Sequence, residues 1–244
     1  MSLDDETNHL TGAGSLTIIC SDCPRNGKTL FAKLACDLVR LRRGDAPQIF
    51  DTDEPDGGLA AHFPDTSTIV DLAKTPQRVG VIDGMLSAKD TAFVIDLADR
   101  HYTPFFSMCA DIGFVEGARE VGLDVTVFFV VDRTVRSVEA LIALNETFRD
   151  LRVVPVLNTG IGHGINEPAI AKAFDRQHFE RVITLPDLSA DALGMMEHVD
   201  FHFDAFVAGR YEHFPFELRA ELWDFLETLY AQRDQAEDDP ARAL

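Results

Sequence analysis

Leu16-Thr17-Ile18-Ile19-Cys20-Ser21-Asp22-Cys23-Pro24-Arg25-Asn26-Gly27-Lys28-Thr29 is the stretch that decides the fold. Leu16 to Cys20 is a short apolar run of the kind shown by strands buried on both faces. It leads into a turn ending in Gly-Lys-Thr, where a helical pattern from Thr29 to Leu41 begins. A helix N-terminus offers free amides and the positive end of the helix dipole, so a turn in this context is a candidate phosphate loop. Arg25, Asn26, Gly27, Lys28, Thr29 and Leu30 form its cradle. Gly27 lets the backbone come close, Lys28 reaches the outer phosphates, and the Thr29 hydroxyl is placed for Mg²⁺. Two residues depart from the general pattern G-x-x-x-x-G-K-[ST]. Asp22 stands where the first Gly belongs and brings a carboxylate toward a polyanion, while Pro24 removes an amide donor. The bland alternative is a helix start that merely contains Gly-Lys-Thr.

Outward from this stretch, short apolar runs alternate with longer amphipathic ones. The runs are Ile49-Phe50, Ile69-Val70, Phe93 to Ile95, Val125 to Val131, Val153 to Leu157 and Val182 to Leu185. Between them Pro76 to Ser87, Tyr102 to Val121, Val135 to Leu151 and Ala169 to His178 have helical length and spacing. The alternation predicts an α/β fold: a doubly wound, mostly parallel sheet with helices on both faces. Phe214 to Arg233 sets Leu218, Leu222, Phe225, Leu226 and Leu229 at helical intervals, a terminal helix that docks on the body. Residues 1–14 read as a loose leader, 15–233 as a single domain of the P-loop NTPase type, and 234–244 as an acidic, disordered tail.

Charge narrows the function. With 22 Lys+Arg against 41 Asp+Glu, the net charge of −19 makes nucleic acid and anionic membranes poor default partners, and DNA is disfavoured. The polar face of the terminal helix, with Glu217, Glu221, Asp224 and Glu227, argues against a membrane-surface helix. No run is long and apolar enough to span a bilayer. The four cysteines, Cys20, Cys23, Cys36 and Cys109, are too few and irregular for a disulfide framework, which predicts a cytoplasmic protein.

Two further segments fall where phosphate chemistry needs them. Ile49-Phe50-Asp51-Thr52-Asp53-Glu54-Pro55-Asp56 is a strand ending in carboxylates, and Ala92 to Asp96 is another strand ending in an acid. Carboxylates at the C-terminal edge of a parallel sheet face the ligand crevice, where they hold a metal-bound or an attacking water. Asp96 is the candidate for Mg²⁺, directly or through a water.

With these three segments in this order, residues 15 to 190 resemble the ParA/MinD family of P-loop ATPases, within the wider group that includes dethiobiotin synthetases and cobyric acid synthases. Asp51-Thr52-Asp53-Glu54-Pro55-Asp56 is similar to that family's second motif, Asp-x-Asp-Pro-Gln, with one residue inserted and Asp for Gln. The resemblance implies that Asp53 activates the attacking water and Asp96 coordinates Mg²⁺. It also implies that Asn158, in Val156-Leu157-Asn158, contacts the base, with Pro186 of Leu185-Pro186-Asp187 on the base's other side. The resemblance implies ATP or ADP as ligand, and dimerisation or a protein partner for a positioning role such as plasmid partition, division-site placement or conjugative transfer. One departure stands out. Cys23 occupies the place of the family's signature lysine, which crosses an ATP-sandwiched dimer, and Arg25, two residues later, offers a cation from the same loop.

Two other functions fit the same scaffold: a small-molecule kinase or ATP-dependent ligase, with Asp51, Asp56 or Arg100 facing a metabolite, and a degenerate module that binds nucleotide without hydrolysis. Other signals are weaker. Cys20-x-x-Cys23 lacks a second ligand pair, and His198 and His202, with Asp200 and Asp204 nearby, lack a third ligand. Gly160-x-Gly162-x-Gly164 lacks the dinucleotide spacing. Arg40, Arg42 and Arg43 read as a solvated helix end, and Arg133 and Arg136 follow a strand end.

Overall fold

The computed structural model describes residues 14–88, 90–132, 134–160, 179 and 181–237, the last five of these as backbone only. Seven strands form one sheet: β1 (Ser15–Cys20), β2 (Gln48–Asp51), β3 (Ser67–Ile69), β4 (Ala92–Asp96), β5 (Asp124–Val131), β6 (Arg152–Asn158) and β7 (Ile183–Leu185). Their order is β3-β2-β4-β1-β5-β6-β7, and every neighbouring pair is parallel. The described helices are α1 (Lys28–Arg43), α2 (Thr75–Ser87), α3 (Asp99–Asp111), α4 (Phe114–Glu120), α5 (Val135–Thr147), α6 (Ala190–Glu197), α7 (Phe203–Val207) and α8 (Phe216–Glu237).

The apolar strands are buried on both sides, with period two. Leu16, Ile18 and Cys20 of β1 point into one core with Phe93 and Ile95 of β4, where α2, α3, α4 and α5 supply Met85, Phe105, Phe114 and Leu141. Ile19 and Val94 point into the other, against Phe31 and Leu34 of α1, Phe203 of α7, and Leu222 and Phe225 of α8. A sheet covered on both faces can be parallel without exposing apolar strand faces, and this is the doubly wound architecture that the alternation predicts.

Several boundaries differ from expectation. The single helix expected over Tyr102 to Val121 is two, α3 and α4, because Gly113 takes a left-handed conformation (φ 63°) between them. The helix expected to run from Val135 to Leu151 stops at Thr147, and Phe148 (φ −117°, ψ 63°) leaves helical geometry. α6 and α7 lie in a stretch read without helices; both are short, so their apolar positions make no repeating stripe. The expected helix over Ala169 to His178 lies outside the described residues, as do Gly162, Gly164 and Arg133. α1 ends at Gly44 (φ 76°), whose N–H bonds the Arg40 carbonyl, an αL stop. Among the described residues no helix is long and apolar enough to cross a membrane.

Candidate functional site

The sheet order puts the ends of β1, β4 and β2 side by side at its C-terminal edge. Ile19 pairs with Asp96 and Asp51 with Asp96 in the strand register, so the three motifs read from sequence converge. Such an edge is where doubly wound sheets bind ligands.

The loop from Ser21 to Gly27 is held from inside. Asn26 is buried, and its side-chain amide donates to the Ser21 hydroxyl and, at 2.9 Å, to the Val130 carbonyl of β5. Arg25 (φ 57°) and Gly27 (φ 94°) are both left-handed, which turns the chain sharply into α1. Gly27 is the N-cap of α1, and a glycine carries the left-handed φ without the Cβ clash that other residues meet. No side chain caps the helix there, so its first amides remain outside the helical ladder. Lys28 is buried and donates to the Cys23 carbonyl at 3.0 Å, folding its ammonium back over the loop.

Thr29 and Asp96 meet directly: the Thr29 hydroxyl donates to Asp96 Oδ2 at 2.7 Å. Asp96 is 3% exposed, and its burial pushes the carboxyl up to about 7, against the help of the Thr29 hydrogen bond. A hydroxyl and a carboxylate are hard oxygen donors, and a buried carboxylate whose anion is disfavoured gains from a nearby cation. The pair therefore fits Mg²⁺.

The two carboxylates after β2 have different surroundings. Asp51 is fully buried and accepts N–H bonds from Asp53, Leu59 and Ala60 at 3.0, 2.7 and 2.9 Å, so it shapes the loop and does not face a ligand. This removes Asp51 from the groups expected to meet a metabolite. Asp53 is open, with 61% of its side chain exposed, and Arg100 Nη1 donates to it at 2.7 Å. The same loop returns past α1: a Cβ on Gly58 would lie 3.4 Å from the Thr29 methyl. Thr52, between the two acids, accepts from the Ala98 amide and donates to the Asp96 carbonyl, which pins the loop to the end of β4.

The departures seen in sequence have physical consequences. The Asp22 side chain is 6% exposed and lies 3.6 Å from Arg136 Nε, an ion pair with the start of α5. Burial first, then Asp22 and Asp132, push the Cys23 thiol up to about 11, so it stays protonated and supplies no cation in place of lysine. Cys20 ends β1 fully buried with its thiol raised by burial. Asn158 lies on β6 opposite Leu185, which adjoins Pro186 at the end of β7. Its amide donates to the Asn26 carbonyl at 3.2 Å and its oxygen accepts from Gly160 N–H at 3.1 Å, tying β6 to the loop before α1.

His198 and His202 do not share a helix face: His198 is the C-cap of α6 and His202 the N-cap of α7. His202 Nδ1 lies 3.4 Å from buried Asp37 of α1, and Arg40 joins Asp37 to Asp204 at 3.6 and 3.2 Å. Arg40 is therefore a bridge between α1 and α7 as well as part of a helix end. The residue that sequence reading undervalued is Arg100. Its signal is a lone arginine among Asp51, Asp53, Glu54, Asp56, Asp96 and Asp99.

The sheet order, with helices on both faces, and the converging strand ends define a doubly wound α/β domain with an all-parallel sheet. No family model and no curated protein matches the chain. Among solved structures it is similar to a nucleotide-binding protein from Archaeoglobus fulgidus in complex with ADP and with cobalt found. The two are 13% identical, 76% of this chain and 86% of that one are covered, and the TM-score is 0.46.

Proposed function

We propose that the chain binds an adenine nucleotide, ATP or ADP, at the entry to α1, and acts as a Mg²⁺-dependent ParA/MinD-like switch. The observation that carries this reading is the 2.7 Å contact of Thr29 with buried Asp96, beside Lys28 at an uncapped helix N-terminus. In this arrangement the amides of Lys28, Thr29 and Leu30 and the Lys28 ammonium hold the phosphates. Thr29 and Asp96 hold Mg²⁺, which when bound neutralises phosphate charge. Asp53, the open carboxylate on the neighbouring strand end, orients the water for hydrolysis. Asn158 and Pro186, at the ends of adjacent strands, flank the base. Protonated Cys23 leaves exposed Arg25 as the loop's outward cation, toward a second copy or a protein partner in a dimerisation step. Partition, positioning and conjugative transfer are the processes such a switch serves, and the charge of −19 favours a protein partner over DNA.

Calorimetry with ATP and ADP, with and without Mg²⁺, on wild type and Lys28→Ala tests the reading, with phosphate release measured on the same samples. Mg²⁺-dependent ATP binding that disappears in Lys28→Ala supports it. Equal binding by both proteins, or binding by neither, refutes it. Affinity without released phosphate selects the non-hydrolysing module over the ATPase.

A further inference from the structure

Arg100, on the first turn of α3, sits four residues beyond Asp96 and grips three consecutive residues after β2. Nη1 donates to Asp53 Oδ1 at 2.7 Å, and Nη2 donates to Glu54 Oε2 at 2.6 Å, the Thr52 carbonyl at 3.0 Å and the Glu54 carbonyl at 3.2 Å. His101 Nε2, buried beside it, lies 3.3 Å from the same Glu54 oxygen. The rest of the loop is fixed without Arg100: Asp51 accepts three backbone amides, and Thr52 is bonded to Asp96 and Ala98. What Arg100 alone determines is where the Asp53 carboxylate points, because among the described residues that carboxylate has Arg100 as its one partner.

The charge arrangement gives this contact its force. Asp53 and Glu54 stand near Asp51 and Asp96, and Asp96 feels both Asp51 and Asp53 as repelling charges. Without a cation, an open carboxylate on such an edge swings into solvent, away from its neighbours. Exposed ion pairs add little stability, so a guanidinium 42% exposed serves this loop through geometry. The planar fork suits that role, since it meets two carboxylates and two carbonyls at fixed angles, which an ammonium cannot do.

We infer that Arg100 is the positioning residue for Asp53: it links the strand end that holds the metal-side acid to the one that orients water, and fixes their relative placement. The inference rests on the proposed ATPase reading and goes one step further, to the residue that sets hydrolysis apart from binding.

The test compares full-length wild type, Arg100→Gln, Arg100→Lys, Asp53→Asn and the Arg100→Gln/Asp53→Asn double variant, with Lys28→Ala as the control for the phosphate site. Phosphate release gives kcat and KM, and calorimetry gives ADP affinity. Misplacing a group by about 1 Å costs up to about a hundredfold, so Arg100→Gln is expected to lower kcat by about tenfold to a hundredfold. KM for ATP and the affinity for ADP stay near wild type, since neither depends on the orientation of Asp53. Arg100→Lys recovers part of the loss. The double variant turns over no more slowly than Asp53→Asn, because Arg100 acts through Asp53.

Full turnover in Arg100→Gln overturns the inference. So does a double variant in which the two losses multiply, or a parallel loss of kcat and ADP affinity that lysine does not rescue. If wild type binds Mg²⁺-ATP through Lys28 and releases no phosphate, the phosphate site stands and the positioning role falls. If nucleotide binding is absent, or is as tight in Lys28→Ala as in wild type, the proposed function falls and this inference with it.

Discussion

Two lysines on helix α1, Lys28 and Lys33, are both buried, yet their partners differ in kind. Among the described residues, Lys28 has a single hydrogen-bond acceptor, the carbonyl of Cys23. Lys33 is surrounded: its ammonium meets His62 Nδ1 at 2.8 Å and donates to the Met196 and His198 carbonyls at 2.8 and 3.1 Å, with the Phe201 ring 5.5 Å away. Burial lowers Lys33 to about 8, and burial followed by the charge of Lys33 lowers His62 to about 4. The same contrast separates two aspartates at adjacent strand ends. Asp51 is saturated by three amides, whereas the Asp96 carboxyl, raised to about 7, meets one hydroxyl among the described residues. A buried polar group with a full set of partners holds the fold together, and one with few partners has capacity left for a ligand. The N-terminal end of α1 thus keeps polar capacity that the fold does not use, and its middle docks the segment around α6 and α7.

Substitutions that exchange the two roles would break this contrast. The largest effect belongs to Asp51→Ala, which leaves three amides without their acceptor; stability in urea is expected to fall by about 3 kcal/mol. A loss below about 1 kcal/mol would mean that the saturated carboxylate is not structural. Next, Lys28→Ala is expected to weaken Mg²⁺-ATP about a hundredfold, ~2.7 kcal/mol, with the unfolding free energy changed by no more than about 1 kcal/mol for the one carbonyl left without its donor. Calorimetry and urea unfolding on one preparation check both halves.

Lys33→Met has the reverse signature. It keeps the apolar bulk but strips the donor from two carbonyls and His62, so stability falls by about 1 to 2 kcal/mol while nucleotide affinity is unchanged. A change in affinity at Lys33 would show that the two halves of α1 are coupled. A further effect is a pH dependence. His62 titrates near 4 in the folded chain against 6.5 when free, so between those values the unfolded chain binds more protons. Stability is therefore complete above about 6.5 and is lost as pH falls toward 4. In His62→Gln the urea midpoint is expected to lose less between pH 7 and pH 4.5 than in wild type.

Much of the scaffold was legible because its signals are local. Strands buried on both faces need continuous apolar runs, and Leu16 to Cys20, Phe93 to Ile95 and Val125 to Val131 are such runs. Gly27-Lys28-Thr29 marked the entry to α1 because glycine tolerates the left-handed turn that starts it. The break between α3 and α4 was hidden, since Gly113 sits inside an otherwise continuous helical pattern. The roles of Asp51 and Asp53 were not separable from sequence either. Both are acids at a strand end, and only the return of residues 59 and 60 over Asp51 makes one structural and leaves the other open.

By itself the sequence determined the class of fold and the chemistry offered at its edge. Apolar periodicity, a glycine before a lysine, and acids after strands are properties of neighbouring residues. Tertiary structure alone decided which charges are satisfied. Lys33 finds its carbonyls 163 and 165 residues away, Asp37 meets Phe203 across 166, and Arg100 reaches Asp53 across 47. The balance between burial and partnering that divides structural from available groups is set by contacts distant in sequence, which no local pattern encodes.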